Sequence, residues 1–320
     1  MRISVALCVY NGSKYLAAQL ASIADQRRAP DELVICDDGS TDDSPGLVER
    51  FAAEARFPVR AHRNDRNLRS TKNFEKAIGL CDGDIIVTAD QDDAWYPGKL
   101  ARIEAAFERS PGVGLVFSDA DLVDDDGRPL GVRLWPSVKF DDARRRGVEG
   151  GDAFGVLLRR AAVTGATMAF RASLRGLVLP IPPAWVHDEW IALMTSAVAP
   201  LLPIAGPLMQ YRRHANNQVG VGGVTVAERA RGSLARPRDV FLARSDEFAE
   251  FRSCLAERLP GRADLLARVD GKIAHYRARG ELPSSRVRRL PGVFRELIAL
   301  RYTRYSGTTL SFARDLLAKG

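Results

Sequence analysis

The sequence predicts an α/β fold built on a mostly parallel sheet. Short apolar runs rich in β-branched residues alternate with helix-like stretches through the first half of the chain, which is typical of βαβ units. The apolar runs cover 3–9, 32–36, 58–61, 84–89 and 113–117, and the helix-like stretches cover 13–26, 43–55, 71–81 and 98–109. Ligands of open parallel sheets bind beyond the carboxyl ends of the strands, so the residues directly after each run are the first candidates for a site.

Composition supports a globular chain. Of the 320 residues, 46% are hydrophobic and 27% are charged, which allows a sizeable core and excludes disorder or a collagen-like repeat. No run of 18 apolar residues occurs, and the N-terminus leads into a strand pattern without a leader, so we expect a soluble, cytoplasmic protein. Cys8, Cys36, Cys81 and Cys254 are widely spaced, so neither disulfides nor a thiolate zinc site are expected.

Charge divides the chain into two regions. Residues 225–320 hold 20 Lys and Arg against 11 Asp and Glu, a net +9, and the other 224 residues carry −2. From about Pro237 the pattern changes to helices, with a break at Pro260-Gly261. We therefore predict one domain over 1–224, in two halves at 1–119 and 120–224, and a basic helical region over 225–320.

The first acidic cluster, Asp37-Asp38-Gly39-Ser40-Thr41, directly follows the second apolar run. It suits a turn that caps the next helix, because Asp, Ser and Thr are common N-cap residues and Gly permits a turn. It also suits a carboxylate site that accepts hydrogen bonds from a nucleobase or ribose, as an acid does in dinucleotide-binding folds. The residues alone leave both interpretations open.

The second acidic cluster, Asp90-Gln91-Asp92-Asp93, follows the fully apolar run 85–87. Three carboxylates within four positions repel one another unless a cation neutralises them. Oxygen ligands at this density suit Mg²⁺ or Mn²⁺, which proteins bind through one or two carboxylates plus substrate phosphates. The alternative is an acidic surface turn, which the apolar strand before the cluster disfavours.

Two further segments carry candidate catalytic residues. His187-Asp188-Glu189 follows a proline-rich segment, so Asp188 is either a helix N-cap or a general base. His214 lies in the cationic segment 210–217 and is either a surface histidine or a ligand. No Walker loop and no GxGxxG motif follows a strand, so a phosphate would be held by a metal and by cations.

Five segments, in order, resemble the family 2 glycosyltransferases, which have a GT-A fold. The similarity covers residues 1–220, and within the family it is greatest to the rhamnosyltransferase-like branch, whose Asp-Gln-Asp-Asp-x-Trp and Tyr-Arg-x-His-x-x-Asn segments occur here. Arg69 departs from the family, which commonly has Gly at that position. The five segments are Val5 to Gly12, Asp37 to Asp42, Asn67 to Phe74, Asp90 to Trp95 and His187-Asp188.

The resemblance implies a Rossmann-like GT-A domain that binds a nucleoside diphosphate sugar, with a nucleotide-sugar half at 1–119 and an acceptor half at 120–224. Tyr10 and Asp38 are then expected to hold the nucleobase, and Asp37 to support that corner. Lys72 falls where the family tends to place a cation near the nucleotide, and Asp90 is expected near the ribose. The implied donor is a dTDP- or UDP-sugar, and the branch favours rhamnose.

The resemblance also implies the chemistry. Asp92, together with Asp90, is expected to bind Mn²⁺ or Mg²⁺, with His214 near the metal or the diphosphate. Asp188 is the implied general base, and Glu189 is the alternative. One displacement with the base opposite the leaving diphosphate inverts the anomeric centre. The implied acceptor is a glycan or a lipid-linked sugar in surface polysaccharide synthesis.

Two other functions remain open on the residues alone. A metal-dependent sugar nucleotidyltransferase would also place acids after strands, but it needs a Gly-rich basic loop early in the chain, and 10–14 is only a faint version. A non-catalytic binding scaffold would keep the fold and use the basic tail, but all of the expected acids are present.

The basic tail has two interpretations. Residues 286–304 combine six arginines with Val287, Leu290 and Phe294 at helical spacing. They form either an ordinary solvated helix bundle or a helix that contacts the anionic inner membrane surface. Nucleic acid is not an expected partner, because the tail has no recognisable binding motif and the rest of the chain is slightly acidic.

Overall fold

The computed structural model describes residues 1–214, 238–308 and 310–317. The chain divides into two compact units, Met1–Ala153 with Ala162–Val221, and Phe154–Ala161 with Gly222–Gly320. The predicted domain boundary at 224 lies outside the described residues. The segment Phe154–Ala161 belongs to the second unit, although sequence analysis assigned it to the first region.

The first unit is built on a sheet of nine strands within the described residues, and it confirms the predicted α/β class. The strands are β1 (Ile3–Val9), β2 (Glu32–Asp37), β3 (Val59–Arg63), β4 (Ile85–Asp90), β5 (Ala94–Trp95), β6 (Leu115–Val123), β7 (Pro129–Arg133), β8 (Met168–Arg171) and β9 (Leu201–Arg212). Their order is β3-β2-β1-β4-β8-β6-β9-β5, and β7 pairs with β6. β3, β2, β1 and β4 are parallel neighbours, β6 is parallel to β9, and β8 lies antiparallel between β4 and β6.

Helices cover this sheet and bury its apolar residues. Every residue of β1 and β2 is buried, as expected for strands between two parallel neighbours. The core combines these strands with the apolar faces of the first and fourth helices, at Leu16, Leu20, Ile103 and Phe107 among others. The helices of this unit are α1 (Ser13–Ala24), α2 (Ser44–Glu54), α3 (Arg69–Leu80), α4 (Lys99–Arg109), α5 (Leu134–Ser137), α6 (Asp142–Glu149), α8 (Arg175–Val178) and α9 (His187–Ser196). Helix α7 (Ala153–Arg159) falls in the second unit from Phe154 onward.

Several elements between 118 and 171 differ from the sequence prediction. β6 extends six residues beyond the predicted end at Phe117, and β7 and the short helices α5 to α7 were not predicted. Between 164 and 171, Gly165–Thr167 form a 3₁₀ turn, and only Met168–Arg171 pairs in the sheet. All five residues of β7 are exposed, so this strand lacks the apolar alternation that a sequence pattern detects.

Besides α7, the second unit contains five helices among the described residues from 238 onward. They are α10 (Arg238–Arg258), α11 (Ala263–Gly280), α12 (Arg286–Ile298), α13 (Arg301–Tyr305) and α14 (Ser311–Leu317). The change to helices predicted from about Pro237 is confirmed. In α10 the side chains of Phe241, Phe248, Phe251 and Leu255 are buried at helical spacing, whereas Val240 is 40% exposed. None of the described helices is long and apolar enough to cross a bilayer.

The prediction of one continuous helix over 286–304 is wrong. α12 ends at Ile298, and Leu300 adopts a left-handed conformation with φ of 56° before α13 begins at Arg301. A left-handed residue directly after the last turn is a common way to end a helix, but Gly or Asn usually provides it. Leucine gives no such signal in the sequence, which is why the break was missed.

Polar groups link the helices that follow α10. Arg279 on α11 forms two hydrogen bonds with Asp315 on α14, at 2.6 and 2.8 Å. The imidazole of His275 lies between the Glu296 carboxylate at 2.8 Å and the Ser306 hydroxyl at 2.9 Å. All of these side chains are buried, so their mutual hydrogen bonds hold the orientation of each helix.

Candidate active site

The candidate residues gather at one edge of the sheet. The carboxyl ends of β2, β1 and β4 lie side by side, since Cys8 pairs with both Cys36 and Asp90 in register. β9 runs in the same direction as these strands and ends at Arg212, and the antiparallel β8 begins near the same edge, directly after the turn at Gly165. The topology therefore brings together residues that are far apart in the sequence, as the strand-end rule predicts.

Asp38 organises the first acidic corner. It is buried, and its two carboxylate oxygens accept hydrogen bonds from the Asn64 side chain at 2.7 Å, from Leu68 N at 2.7 Å and from Arg69 N at 2.9 Å. Arg69 has φ of 65°, a left-handed conformation that favours glycine, which accounts for the glycine common at this position in the family. Asp38 thus anchors the loop between β3 and α3.

Asp37 is also buried at this corner, and only one of its oxygens is satisfied by the described residues. Oδ1 accepts a hydrogen bond from Ser40 N at 2.7 Å, and Oδ2 has no hydrogen-bond partner among those residues. An unpaired buried carboxylate oxygen is costly, so it is a feature that a polar ligand group would relieve.

Tyr10 lies at the adjacent strand end, and its side chain is 48% exposed. The backbone of Tyr10 is fixed by the Gln91 amide, which accepts from Tyr10 N at 2.7 Å and donates to Tyr10 O at 3.0 Å. A Cβ at Gly12 would lie 2.3 Å from Gln91 Oε1, so a larger residue there would displace the Gln91 amide from this contact. The two predicted motifs are therefore in direct contact, and the phenol ring of Tyr10 is accessible to a ligand.

The carboxylates of the second acidic cluster lie close together, and that of Asp93 is buried. Burial, followed by the nearby carboxylates of Asp92 and Asp188, raises the pKa of Asp90 to about 8. Burial and the charges of Asp92 and Asp90 also raise the pKa of Asp93 well above its ordinary value. Asp188, predicted as the general base, is therefore brought close to the cluster although it lies about a hundred residues later in the chain.

Arg212 and His214, at the end of β9, hold the acidic loop. Arg212 donates from its backbone N to Asp93 Oδ1 at 3.0 Å and from Nε to the Asp92 carbonyl at 2.9 Å. His214 Nε2 lies 2.7 Å from Asp92 Oδ2, and its ring stacks on Tyr15 with centroids 5.1 Å apart. His214 therefore lies beside Asp92, and its expected place near a metal or a diphosphate stays a prediction. The structural roles of Arg212 and Tyr15 were not predicted.

Lys99 is a buried cation that sequence analysis did not single out. Its ammonium donates to the Ala166 carbonyl at 2.7 Å and lies 4.0 Å from the centre of the Trp95 ring. Burial lowers the pKa of Lys99 to about 7, against the opposing effect of the carboxylates of Asp93 and Asp90. The sequence did contain a signal for the burial of Lys99, because helical spacing places it on the same face of α4 as the buried Ile103.

Asp188 lies in the first turn of α9, where its carboxylate is held by backbone amides. Oδ2 accepts a hydrogen bond from Gly165 N at 2.9 Å, and Oδ1 accepts one from Glu189 N at 2.6 Å. A carboxylate has about four acceptor positions, so positions remain on both oxygens. Burial raises the pKa of Asp188, which makes its ionised form a stronger base than an ordinary aspartate.

His187 is buried beside Asp188 without a polar partner. Its ring stacks on Phe74 with centroids 3.9 Å apart, and both of its nitrogens lack hydrogen-bond partners among the described residues. Gly165 is the close neighbour on the other side, since a Cβ at that position would lie 2.5 Å from His187 Nε2. Burial lowers the pKa of His187 to about 3, so the ring is neutral and positions the start of α9.

Replacing His187 with leucine is expected to reduce the decrease in the free energy of unfolding between pH 7 and pH 5. The folded pKa of His187, about 3, lies below its ordinary value of 6.5, so the unfolded chain binds more protons below pH 6.5. In the wild type this group alone lowers the free energy of unfolding by about 2 kcal/mol between pH 7 and pH 5. Urea unfolding of both proteins at the two pH values measures the difference, and equal losses would contradict the neutral, buried state of His187.

Lys72, predicted near the nucleotide, contacts other parts of the protein. Its ammonium donates to the Glu75 carboxylate at 2.8 Å and to the Ile181 carbonyl at 2.7 Å. Glu75 in turn accepts from Ile181 N at 2.6 Å. These contacts fasten the proline-rich segment before α9 to α3, which is a positioning role for the predicted cation.

The donor atoms suit a divalent cation that is shared with a ligand. Among residues 1–214, 238–308 and 310–317, no group of three or more His, Cys, Asp or Glu side chains is arranged to hold a metal ion alone. The Asp92 carboxylate and the His214 imidazole nevertheless face each other at 2.7 Å, beside the crowded Asp90 and Asp93. Carboxylate and imidazole are both suitable ligands for Mn²⁺, and substrate phosphates commonly complete such sites.

Comparisons with known proteins identify the family of this chain. The model of glycosyl transferase family 2 matches residues 4–163, half of the chain. Over 240 residues the chain is 27% identical to an uncharacterised glycosyltransferase from a Nostoc species, and this stretch is 72% of this chain and 71% of that protein.

Two solved structures share the fold. One is TarS from S. aureus in complex with UDP-GlcNAc, with TM-score 0.57 and 17% identity, covering 95% of this chain and 89% of that chain. The other is the mannosyltransferase PcManGT from Pyrobaculum calidifontis in complex with GDP-Man and Mn²⁺. It has TM-score 0.51 and 18% identity, and the match covers 99% of this chain and 85% of that chain. With the family match over residues 4–163, the chain belongs to glycosyl transferase family 2 and has a GT-A fold.

Proposed function

We propose that this chain is an inverting, metal-dependent glycosyltransferase that transfers a sugar from a nucleoside diphosphate to a hydroxyl of a glycan or lipid-linked acceptor. The observation that carries the proposal is the position of Asp188 at the carboxyl edge of the sheet. Its Oδ2 accepts a hydrogen bond from Gly165 N, and the Gly165 carbonyl accepts one from Thr88 of β4, two residues before Asp90. A base and a cation-binding carboxylate group beside one another are the two parts that this reaction needs. Family membership supports the same conclusion.

In the proposed nucleotide site the base contacts the exposed ring of Tyr10, and Asp37 offers its unpaired Oδ2 to a polar group of the nucleoside. Asp38 shapes this corner through its hydrogen bonds to the loop before α3. Asp90 lies toward the ribose. The proposed donor is a dTDP- or UDP-sugar, with rhamnose favoured by the similarity to the rhamnosyltransferase-like branch.

Asp92 and His214 are the proposed ligands of Mn²⁺ or Mg²⁺, with Asp90 adjacent. A bound cation would stabilise the negative charge that develops on the departing diphosphate. The crowding of Asp90 and Asp93 beside this pair supports the assignment, because several carboxylates close together repel one another unless a cation lies between them. The Mn²⁺ in the PcManGT complex is a further support from a protein of the same fold.

Asp188 is the proposed base. It takes the proton from the acceptor hydroxyl while that oxygen attacks the anomeric carbon of the donor, and the bond from that carbon to the diphosphate oxygen breaks. The proton resides on the Asp188 carboxylate and the nucleoside diphosphate leaves with the electron pair. Because the new bond forms opposite the one that breaks, the configuration at the anomeric carbon inverts.

Thermal unfolding with nucleotides tests the donor site without an acceptor. We expect UDP or dTDP with Mn²⁺ to raise the melting temperature of the wild type by several degrees, because a ligand that binds only the folded state stabilises it. GDP, CMP and all nucleotides without Mn²⁺ are expected to give smaller shifts. Asp92→Asn is expected to lose the Mn²⁺-dependent shift.

Asp82→Asn is the matched control, since Asp82 is an exposed acid before β4 and Asp92 follows the same strand. It should retain the full shift. The absence of a shift with every diphosphate would contradict the proposed donor site. Release of pyrophosphate from a nucleoside triphosphate and a sugar phosphate would instead identify a nucleotidyltransferase.

A further inference from the structure

α12 is oriented with its polar side chains inward and its apolar side chains outward. Its most buried residues include Arg289 and Glu296, which are 4% and 1% exposed, together with Val293. An amphipathic helix of a water-soluble bundle normally shows the opposite arrangement. The outward face of α12 therefore requires an explanation.

The inward orientation is fixed by specific hydrogen bonds. Arg289 donates from Nε to the Pro283 carbonyl at 2.6 Å and from one terminal nitrogen to the Asp315 carbonyl at 3.0 Å. Glu296 accepts from His275 at 2.8 Å and from Arg301 at 2.9 Å. Rotating α12 to bury its apolar face would break all four bonds, and each broken buried bond is costly.

The outward face is a continuous apolar stripe. Val287, Leu290, Phe294 and Ile298 are spaced by three, four and four residues, so they lie on one side of the helix. Their side chains are 73%, 39%, 54% and 81% exposed, and Leu300 directly after the helix is 53% exposed. We call the four residues the α12 stripe. Single exposed apolar residues are ordinary on a protein surface, but an aligned set of this kind marks an interaction site.

Arginines border the α12 stripe. On a helical projection Arg288 and Arg295 lie on one flank and Arg286 on the other, and all three are exposed. Between 286 and 304 the chain has six arginines and one acid, Glu296, which is buried. The rim of the stripe is therefore strongly cationic.

We propose that the α12 stripe docks this protein on a bilayer that contains anionic phospholipid. The apolar side chains would enter the boundary between headgroups and acyl chains, and the flanking arginines would pair with lipid phosphates while their stems cover apolar surface. An apolar protein partner would leave the cationic rim unexplained, and a polyanion would leave the stripe unexplained. Docking would bring the enzyme to lipid-linked acceptors, a consequence that rests on the proposed function, whereas the docking itself does not.

Co-sedimentation of the full chain with vesicles tests the proposal. The wild type is expected to bind vesicles of phosphatidylcholine with 30% phosphatidylglycerol, to bind pure phosphatidylcholine weakly, and to be released by 0.5 M NaCl. Phe294→Ser with Ile298→Ser is expected to reduce the partition coefficient at least about tenfold. Arg288→Gln with Arg295→Gln is expected to reduce it by roughly fivefold per arginine on anionic vesicles only.

The matched control is Leu130→Ser with Val132→Ser, which removes two exposed apolar side chains from β7, at 41% and 49% exposure. This variant should bind as the wild type does. Failure of the wild type to bind anionic vesicles, or unchanged binding of the stripe variant, would overturn the proposal.

Sedimentation velocity without lipid tests a second copy of the chain as the occupant. Self-association of the wild type that disappears in the stripe variant would also overturn the proposal. Nucleotide binding with Mn²⁺ is measured separately. Failure of the protein to dock on membranes can therefore be distinguished from failure of the proposed glycosyltransferase function.

Discussion

Replacing Asp188 with asparagine is expected to reduce the turnover of sugar transfer by about 100- to 10,000-fold, the usual contribution of a positioned general base. Asparagine keeps an oxygen that can accept from Gly165 N or Glu189 N, so the start of α9 should retain its structure. The variant loses the proton acceptor and one of these two backbone hydrogen bonds. Turnover is measured with donor and acceptor at saturation, and donor binding is measured by the melting shift with nucleotide and Mn²⁺, which should persist.

Glu189→Gln is the matched control for Asp188→Asn. Glu189 is the next residue of the same helical turn and carries the same charge, but its backbone amide supports Asp188. We expect a change in turnover of only a few-fold. If Glu189→Gln is the inactive variant and Asp188→Asn is active, the base has been assigned to the wrong acid. A raised pKa of Asp188 also predicts that wild-type turnover declines with falling pH at a higher pH than an ordinary aspartate would cause.

Replacing Arg279 with leucine is expected to destabilise the helices after α10 by about 3–5 kcal/mol, because it leaves the buried Asp315 carboxylate without its cation. Arg279 and Asp315 are each 6% exposed, and Tyr302 would be the remaining side-chain donor to Asp315, at 2.7 Å. Hydrogen exchange followed by mass spectrometry measures the change as lost protection in peptides from α11 and α14. Removing both charges, in Arg279→Leu with Asp315→Leu, should recover part of the loss.

Arg252→Leu is the control for the buried pair. Arg252 on α10 pairs with Asp270 on α11, but their side chains are 40% and 50% exposed, so water solvates Asp270 when its partner is removed. Protection should be unchanged in this variant. Equal losses in both variants would show that leucine on a helix, and not the loss of the buried cation, causes the destabilisation.

Much of the first half of the fold could be predicted from sequence because its strands are buried on both sides. β1 was predicted with the bounds that the structure has, and β2 and β4 to within one residue, since continuous apolar runs between helical patterns have few alternative interpretations. β7 could not be found this way, because it is exposed along its length. The end of α12 was missed because a leucine takes the left-handed conformation that Gly or Asn usually provides.

Residues of the candidate site could be predicted where they directly follow a strand. Asp37, Asp90 and Asp92 were identified by their position after apolar runs, whereas Asp188 was assigned from the resemblance to the family, and the roles given to all four stay predictions. The partners that organise the site were less visible. The pairing of Arg212 with the acidic loop joins residues more than a hundred positions apart, and no local pattern encodes such a contact. The predicted nucleotide contacts of Tyr10, Asp38 and Lys72 stay predictions.

The polar links among the C-terminal helices also affect how stability varies with temperature. The heat capacity of unfolding rises mainly with the apolar surface that becomes exposed. The sheet buries a large apolar core, whereas the hydrophobic cluster among the C-terminal helices contains the buried Leu282, Val293 and Tyr302. Opening of α12 to α14 should therefore carry a small heat capacity change, and its stability should depend on temperature with little curvature. Two parts of one chain would then respond differently to cold and to heat.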